Sequence, residues 1–330
     1  MNSIAFCGSI IADVIKTVPT WPDKGMLVQI KSIRRQVGGA VSNSGIDLKT
    51  LDPSLEVMAV GAVGADENGD FVVGSLEAKG LDCSRVRRVK DVPTSFTDVV
   101  TVESTGERTF FNMHGADSAL VPEDVDVAGL GCDLFHFGYL LLLDGMDAPD
   151  ADYGTKAARL LASVQAAGVK TSIDIVSEQS ERFARIVRPA LKYCDYCIVN
   201  EIEGSMATGV GKDDLRGICE GLLEAGVRER AVVHCPAEGV SLDRGGNFAR
   251  VGSLRLPDGW IKGSVGAGDA FCAGTLYAIM KGFDAEHALR LGSCAAAMNL
   301  AVSDSVSGAK PYAETIALEK IFPRQSLQGR

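Results

Sequence analysis

The segment Lys262–Gly274, KGSVGAGDAFCAG, places three glycines within six residues and an aspartate directly after the last of them. Gly266, Ala267 and Gly268 let backbone N–H groups converge without side-chain obstruction. The small and apolar residues from Asp269 to Lys281 predict a buried helix. A helix N-terminus offers unpaired N–H donors and the positive end of the dipole, so the combination predicts an anion site. Asp269 would stand in the first turn, beside the anion. Helix capping alone would account for an acid there. A carboxylate next to an anion hole is also placed to take a proton from a nucleophile attacking the held group, which suits phosphoryl transfer. Two other phosphate motifs fail. Gly263, Gly266 and Gly268 have the wrong order and position for a dinucleotide fingerprint, and Met206 and Asp213 break a Walker loop ending at Gly211-Lys212.

The elements that must position these residues alternate almost to the end of the chain. Short apolar runs recur at 4–7, 57–60, 134–137, 171–175, 196–199 and 231–234, with amphipathic stretches such as 153–167 and 212–225 between them. Continuous apolar strands joined by helices predict a Rossmann-like α/β domain, its mostly parallel sheet covered on both faces. No repeat, low-complexity block or long linker divides the chain, which predicts one domain over residues 1–330. Two segments break the rhythm. Residues 26–34 are strand-like, with Met26, Val28 and Ile30 alternating onto one face. Residues 96–111 predict two strands around the turn Ser104-Thr105-Gly106-Glu107. These segments either pair as a small antiparallel sheet beside the main one or extend its edges.

Composition narrows the partners. With 46% hydrophobic and 23% charged residues, 330 residues can bury a large core. A net charge of -10 argues against a nucleic-acid partner. The apolar runs are too short to span a bilayer and MNSIAFCGSI lacks the marks of a secretory signal, so the expected location is cytoplasmic. The nine cysteines, odd in number and often inside apolar runs, predict reduced core thiols. Cys194-Asp-Tyr-Cys197 lacks the second pair that a zinc site needs. The four histidines lie in separate segments without ligand spacing.

GAGDAFCAG resembles the C-terminal signature of the ribokinase-like (PfkB) carbohydrate kinases, and Gly38-Gly39-Ala-Val-Ser-Asn43 resembles the N-terminal one. Gly8-Ser9-Ile-Ile-Ala-Asp13, the GAVGADENG of Gly61–Gly69, Gly106-Glu107-Arg108 and Asn200-Glu-Ile-Glu203 resemble further family segments, in family order. The resemblance implies a ribokinase-like fold with a small antiparallel β lid, inserted at about 14–37 and 94–113. It implies a sugar kinase that uses ATP and Mg²⁺, or a nucleoside kinase of the same family. In either, Asp269 would deprotonate the acceptor hydroxyl while Gly266, Ala267 and Gly268 hold the transferring phosphoryl group. Asp13, Gly38, Gly39 and Asn43 match sugar-binding positions, and Arg108 would reach over the site from the lid. Asn200 and Glu203 match positions near Mg²⁺ and the nucleotide phosphates, Glu203 acting through water. His234, Glu238 and Gly239 fall on the nucleotide side, and the lid implies a homodimer. Turn and capping roles would also account for Asp13, Asn43, Asn200 and Glu203.

This sequence departs from the family at four landmarks. Gly263 and Ser264 replace the Asp-Thr that helps organise a monovalent cation, which counts against potassium activation. His234-Cys-Pro-Ala-Glu-Gly239 stands where relatives have Thr-x-Gly-x-x-Gly, and Pro236 removes an N–H there. Val176 and Glu178 replace the Asn and Arg that follow the aspartate matched by Asp174. The last three changes lie on the nucleotide side, so a sugar binder of kinase ancestry is the alternative to an enzyme. The intact Gly-Ala-Gly-Asp argues against that alternative. No basic cluster awaits a sugar acid, which favours a neutral pentose or hexose.

Overall fold

The computed structural model describes residues 1–178 and 180–327. Ile4, Ala5, Phe6 and Cys7 are wholly buried because their strand, β1 (Ser3–Gly8), lies inside a sheet with cores on both faces. In chain order follow β2 (Ile11–Val18), β3 (Ser32–Gly38), β4 (Glu56–Gly64), β5 (Asp82–Val89), β6 (Phe96–Val102) and β7 (Arg108–Met113). Then come β8 (Leu134–Leu140), β9 (Lys170–Ile175), β10 (Tyr196–Asn200), β11 (Arg230–His234), β12 (Glu238–Asp243) and β13 (Phe248–Gly252). Nine of them form one sheet in the order β13-β12-β11-β10-β9-β8-β1-β4-β5. Neighbours from β11 to β5 are parallel, and β12 and β13 fold back antiparallel at one edge. All six apolar runs anticipated from the sequence lie within strands of this sheet.

The helices that cover it are α1 (Ala40–Leu51), α2 (Glu67–Ala78), α3 (Lys156–Ala166), α4 (Phe183–Leu191), α5 (Glu201–Thr208), α6 (Leu215–Ala225), α7 (Ala267–Met280) and α8 (Ala285–Asn299). Caps set where two of them begin. The Thr155 hydroxyl accepts from Ala158 N–H and the Asp214 carboxylate from Gly217 N–H, so α3 and α6 each start three residues inside the amphipathic stretches. Helix α7 is buried almost all round. It lies against α8 so closely that a Cβ on Gly274 would stand 2.9 Å from Gly292 Cα.

The remaining four strands form a second sheet in the order β3-β2-β6-β7. Its two antiparallel pairs, β2/β3 and β6/β7, meet along a parallel seam between β2 and β6. The two inserts therefore pair with each other rather than extend the main sheet. The strand expected over 26–34 lies instead at Ser32–Gly38. Residues 26–30 have no ladder partner, and Met26 and Leu27 are 69% and 92% exposed. The alternation of Met26, Val28 and Ile30 is thus not a strand face.

Among the described residues no helix is long and apolar enough to cross a membrane. All nine cysteines are free thiols and eight are buried, Cys194 and Cys197 among them.

Candidate active site

Parallel strands that start at one edge of a sheet end together at the other, and ligands settle where those ends diverge. Here β8, β9, β10 and β11 deliver Tyr139, Asp174, Asn200 and His234 to one cavity of about 240 Å³. The start of α7 closes its opposite side with Gly266, Gly268 and Asp269.

The glycine turn is built for that position. Gly266 has φ 79°, and a Cβ on it would lie 2.5 Å from the Ser305 carbonyl oxygen. The first helical bond runs from Ala270 N–H to Gly266 O (2.9 Å), so the amides of Gly268 and Asp269 precede the helix ladder. A Cβ on Gly268 would meet open space. Ala267 differs from its neighbours. Its N–H turns back onto Ser264 O (3.3 Å), and its side chain does not line the cavity.

The Asp269 carboxyl is 6% exposed, and two side chains hold it. Asn43 Nδ2 donates to Oδ2 at 2.9 Å, and the Tyr139 hydroxyl lies 3.0 and 2.9 Å from Oδ1 and Oδ2. Burial, and after it the charge of Asp174, push its pKa up to about 7 against the pull of those hydrogen bonds. Asn43 Oδ1 is buried with no partner among the described residues. Asp174 Oδ1 accepts from Tyr139 N–H at 2.7 Å, while Oδ2 faces His136 Nε2 at 3.3 Å.

Asn200 and Glu203 form a complete capping box at the start of α5. Both also line the cavity. Burial raises Glu203 to about 7 despite its bonds from Asn200 N–H and Ser177, and Asp174 and Asp269 add to the rise. His234 stacks on Phe271 with ring centroids 4.3 Å apart, and burial lowers its pKa to about 4, which keeps it neutral. No lysine or arginine lines this cavity among the described residues.

Other residues singled out from the sequence lie beside the cavity rather than in it. Asp13 on β2 packs under Gly38, where a Cβ would come within 2.6 Å of its Oδ2. Burial raises Asp13 to about 6. Gly39, at φ 86°, presses against the Ser9 carbonyl and caps α1, the helix that carries Asn43 to Asp269. Arg108 donates from Nη2 to Ser303 O at 2.9 Å, tying the small sheet to the loop behind Gly266. Glu238 and Gly239 turn away. Glu238 is paired with Arg250 (2.9 Å to Nη2), and Gly239 sits in the antiparallel ladder opposite His234, against Leu289 and Phe271.

Tyr139 escaped the sequence reading because it sits in an apolar run, with neither a charge nor a glycine pattern to mark it. The His136, Asp174 and Cys272 donors lie within 4.8 Å of one another, the latter two lining the cavity, a cluster that their spacing along the chain also hides.

A carboxylate at a glycine-led helix start, at the C-terminal edge of a parallel sheet, is an arrangement for moving a phosphoryl group. The model of the pfkB family carbohydrate kinases matches residues 1–310, and the chain belongs to that family. It is 25% identical to a ribokinase of Arabidopsis thaliana over 305 residues, covering 91% of this chain and 76% of that protein. It is 26% identical to an uncharacterized sugar kinase of Archaeoglobus fulgidus over 244 residues, 74% of this chain and 90% of that one. The structure of Arabidopsis thaliana ribokinase complexed with ribose and ATP superposes with a TM-score of 0.80 at 20% identity, covering 97% of this chain and 99% of that chain. The protein is a sugar kinase of this family, a phosphotransferase with the ribokinase fold.

Proposed function

We propose that the protein transfers the γ-phosphate of ATP to a primary hydroxyl of a neutral pentose or hexose, with Asp269 as the general base. The observation that carries this reading is the Asp269 carboxyl itself. It is held by Asn43, opens on the cavity, follows two free amides and titrates near neutrality. A base poised there is neutral enough to exist beside phosphate and ionised enough to accept a proton near pH 7. The acceptor's hydroxymethyl group would lie between Asp269 and the γ-phosphate, with Gly268 leaving room for the phosphoryl oxygens. Asp13 and Asn43 would take the sugar hydroxyls. Asn200, Glu203 and His234 would border the nucleotide.

The oxygen-rich donor set fits Mg²⁺. Asp174, Glu203 and Asp269 share one small cavity without a cationic side chain, and burial, reinforced by the neighbouring carboxylates, drives the latter two up to about 7. Asp174 and Glu203 would hold the ion, Glu203 through water, and the ion when bound would neutralise charge on the phosphate oxygens. The same surplus of acid disfavours a sugar acid as substrate, since its carboxylate would meet three others.

The sheet β3-β2-β6-β7 acts in this reading as a lid that excludes water, with Arg108 as its latch on Ser303. Its face away from Asp13 leaves Ile33 and Phe111 more than half exposed, and a second copy of the chain would cover it.

The test is ADP release with ATP and Mg²⁺ across neutral sugars, sugar acids and nucleosides, with Asp269→Asn alongside. One neutral sugar turning over, and at least ~10²-fold loss in the variant, is the expected result. Full activity in Asp269→Asn would sink the assignment of the base, and turnover confined to nucleosides or sugar acids would sink that of the acceptor.

A further inference from the structure

Tyr139 stands in a conformation that a tyrosine rarely adopts. Its φ is 63°, and two residues on Leu141 has φ 88°. Positive φ at bulky residues is unfavourable and persists where the surroundings hold it. Here they hold it at both ends: Tyr139 N–H bonds to Asp174 Oδ1 at 2.7 Å, and the phenol reaches both oxygens of Asp269. The β8/β9 ladder shifts register across the same stretch, between Ile173 and Ile175. The strained turn therefore aims one hydroxyl at one carboxylate, on the wall of the cavity.

That carboxylate already carries two donors, and the phenol is the one on the cavity wall. Asn43 Nδ2 occupies Oδ2, and the phenol shares its proton between Oδ1 and Oδ2. A hydroxyl that is to lose its proton to Asp269 must first donate a hydrogen bond to it, and that position holds the phenol. We infer that the Tyr139 hydroxyl keeps the acceptor's place on Asp269 until the sugar arrives, so that Tyr139 is a positioning residue coupling release of the base to acceptor binding. The inference rests on Asp269 being the base.

The chemistry is consistent with a placeholder rather than a nucleophile. Burial and the charges of Asp269 and Asp174 push the phenol's pKa well above its ordinary value, so it keeps its proton. When the sugar's O–H takes over on Asp269, the sugar's proton passes to the carboxylate and the phenol retains its own. Without sugar, the phenol denies water the same position, and water there would turn ATP binding into ATP hydrolysis.

Tyr139→Phe keeps the ring and removes only the placeholder. The expected result is a severalfold rise in ADP release without sugar and a lower KM for the sugar. Asp269 also loses a donor that favours its charged form, so the acid limb of kcat/KM should move up by about half a pH unit or more. Sugar-free ADP release and an acid limb both unchanged from wild type would overturn the inference, even if kcat fell. Asp269→Asn in the same assay separates the two ideas. If it stays active the base is wrong, and if it is dead while Tyr139→Phe behaves as wild type only the placeholder is wrong. The wild-type protein gives a reading that needs no variant: tyrosine difference absorbance should change on adding saturating sugar, and a flat difference spectrum would also overturn the inference.

Discussion

Replacing Gly266 and Gly268 by alanine, one at a time, separates the shape of the turn from its role. At Gly266 the φ of 79° costs a side chain about 1–2 kcal/mol before any contact is considered. The new Cβ would also stand 2.5 Å from Ser305 O and 2.8 Å from Ser305 Cα, backbone that cannot swing aside. Gly266→Ala should therefore lower Tm by at least about 2 °C and displace the amides behind it. At Gly268 a Cβ meets nothing within 4 Å, and alanine gains up to about 1 kcal/mol over glycine in a helix. Gly268→Ala should be as stable as the wild type or slightly more so. Its methyl group would border the cavity where the phosphoryl oxygens must approach, and a displacement of about 1 Å is enough to lower kcat/KM on the order of 10²-fold. Thermal melts and ADP release on the two variants give four numbers. Full turnover in Gly268→Ala would show that these amides do not cradle the phosphoryl group, and an unchanged Tm in Gly266→Ala would refute the strain.

Acidity gives two further expectations. Turnover should rise with pH through about 7 as Asp269 ionises, and a flat profile from pH 5.5 to 8 would exclude it as the base. Stability without ligand should move the other way. Asp269, Glu203 and Asp117 are each raised to about 7, so the folded protein binds more protons than the unfolded chain between about pH 4.5 and 7, and unfolding becomes easier as pH rises through that window. His234, lowered to about 4, opposes them with a single proton, and Asp13 and Asp147, raised to about 6, add to them. A Tm that climbs from pH 5 to 7 would contradict these assignments. Covering of the outer lid face by a second copy is tested by Ile33→Asp, which should convert a dimer to a monomer in sedimentation; a wild-type monomer would end that proposal.

How much of this the sequence revealed follows from where each signal resides. Strands of the main sheet are buried on both faces, so 4–7 or 57–60 stand out as unbroken apolar runs. Strand β2 carries Asp13, Lys16 and Thr17 and is mostly half-buried, so no such run marks it. Its partner β3 begins after the apolar pattern of 26–30 has ended, because Met26 and Leu27 face solvent and the ladder starts at Ser32. Within the site, Gly266, Gly268 and Asp269 announce themselves because a turn needs glycine locally. Tyr139 and Asp174 meet Asp269 only through tertiary packing, and a bond spanning 130 residues leaves no local trace. The family resemblance puts Glu238 and Gly239 on the nucleotide side, whereas the hairpin holds Glu238 against Arg250 and Gly239 in the ladder, outside the cavity lining.

The order of elements along the chain also bears on synthesis. Strand β1 emerges first from the ribosome but pairs with β4 and β8, so it waits for residue 134 and beyond before both its edges are filled. The carboxylate that would activate the acceptor emerges later still, and its bond to Asn43 closes a loop of 226 residues. Ser305, the backbone that shapes Gly266, follows even that. Contacts this distant in sequence form late. A nascent chain can thus assemble the middle of its sheet while it still lacks the groups proposed to transfer phosphate, and unfinished copies spend no ATP.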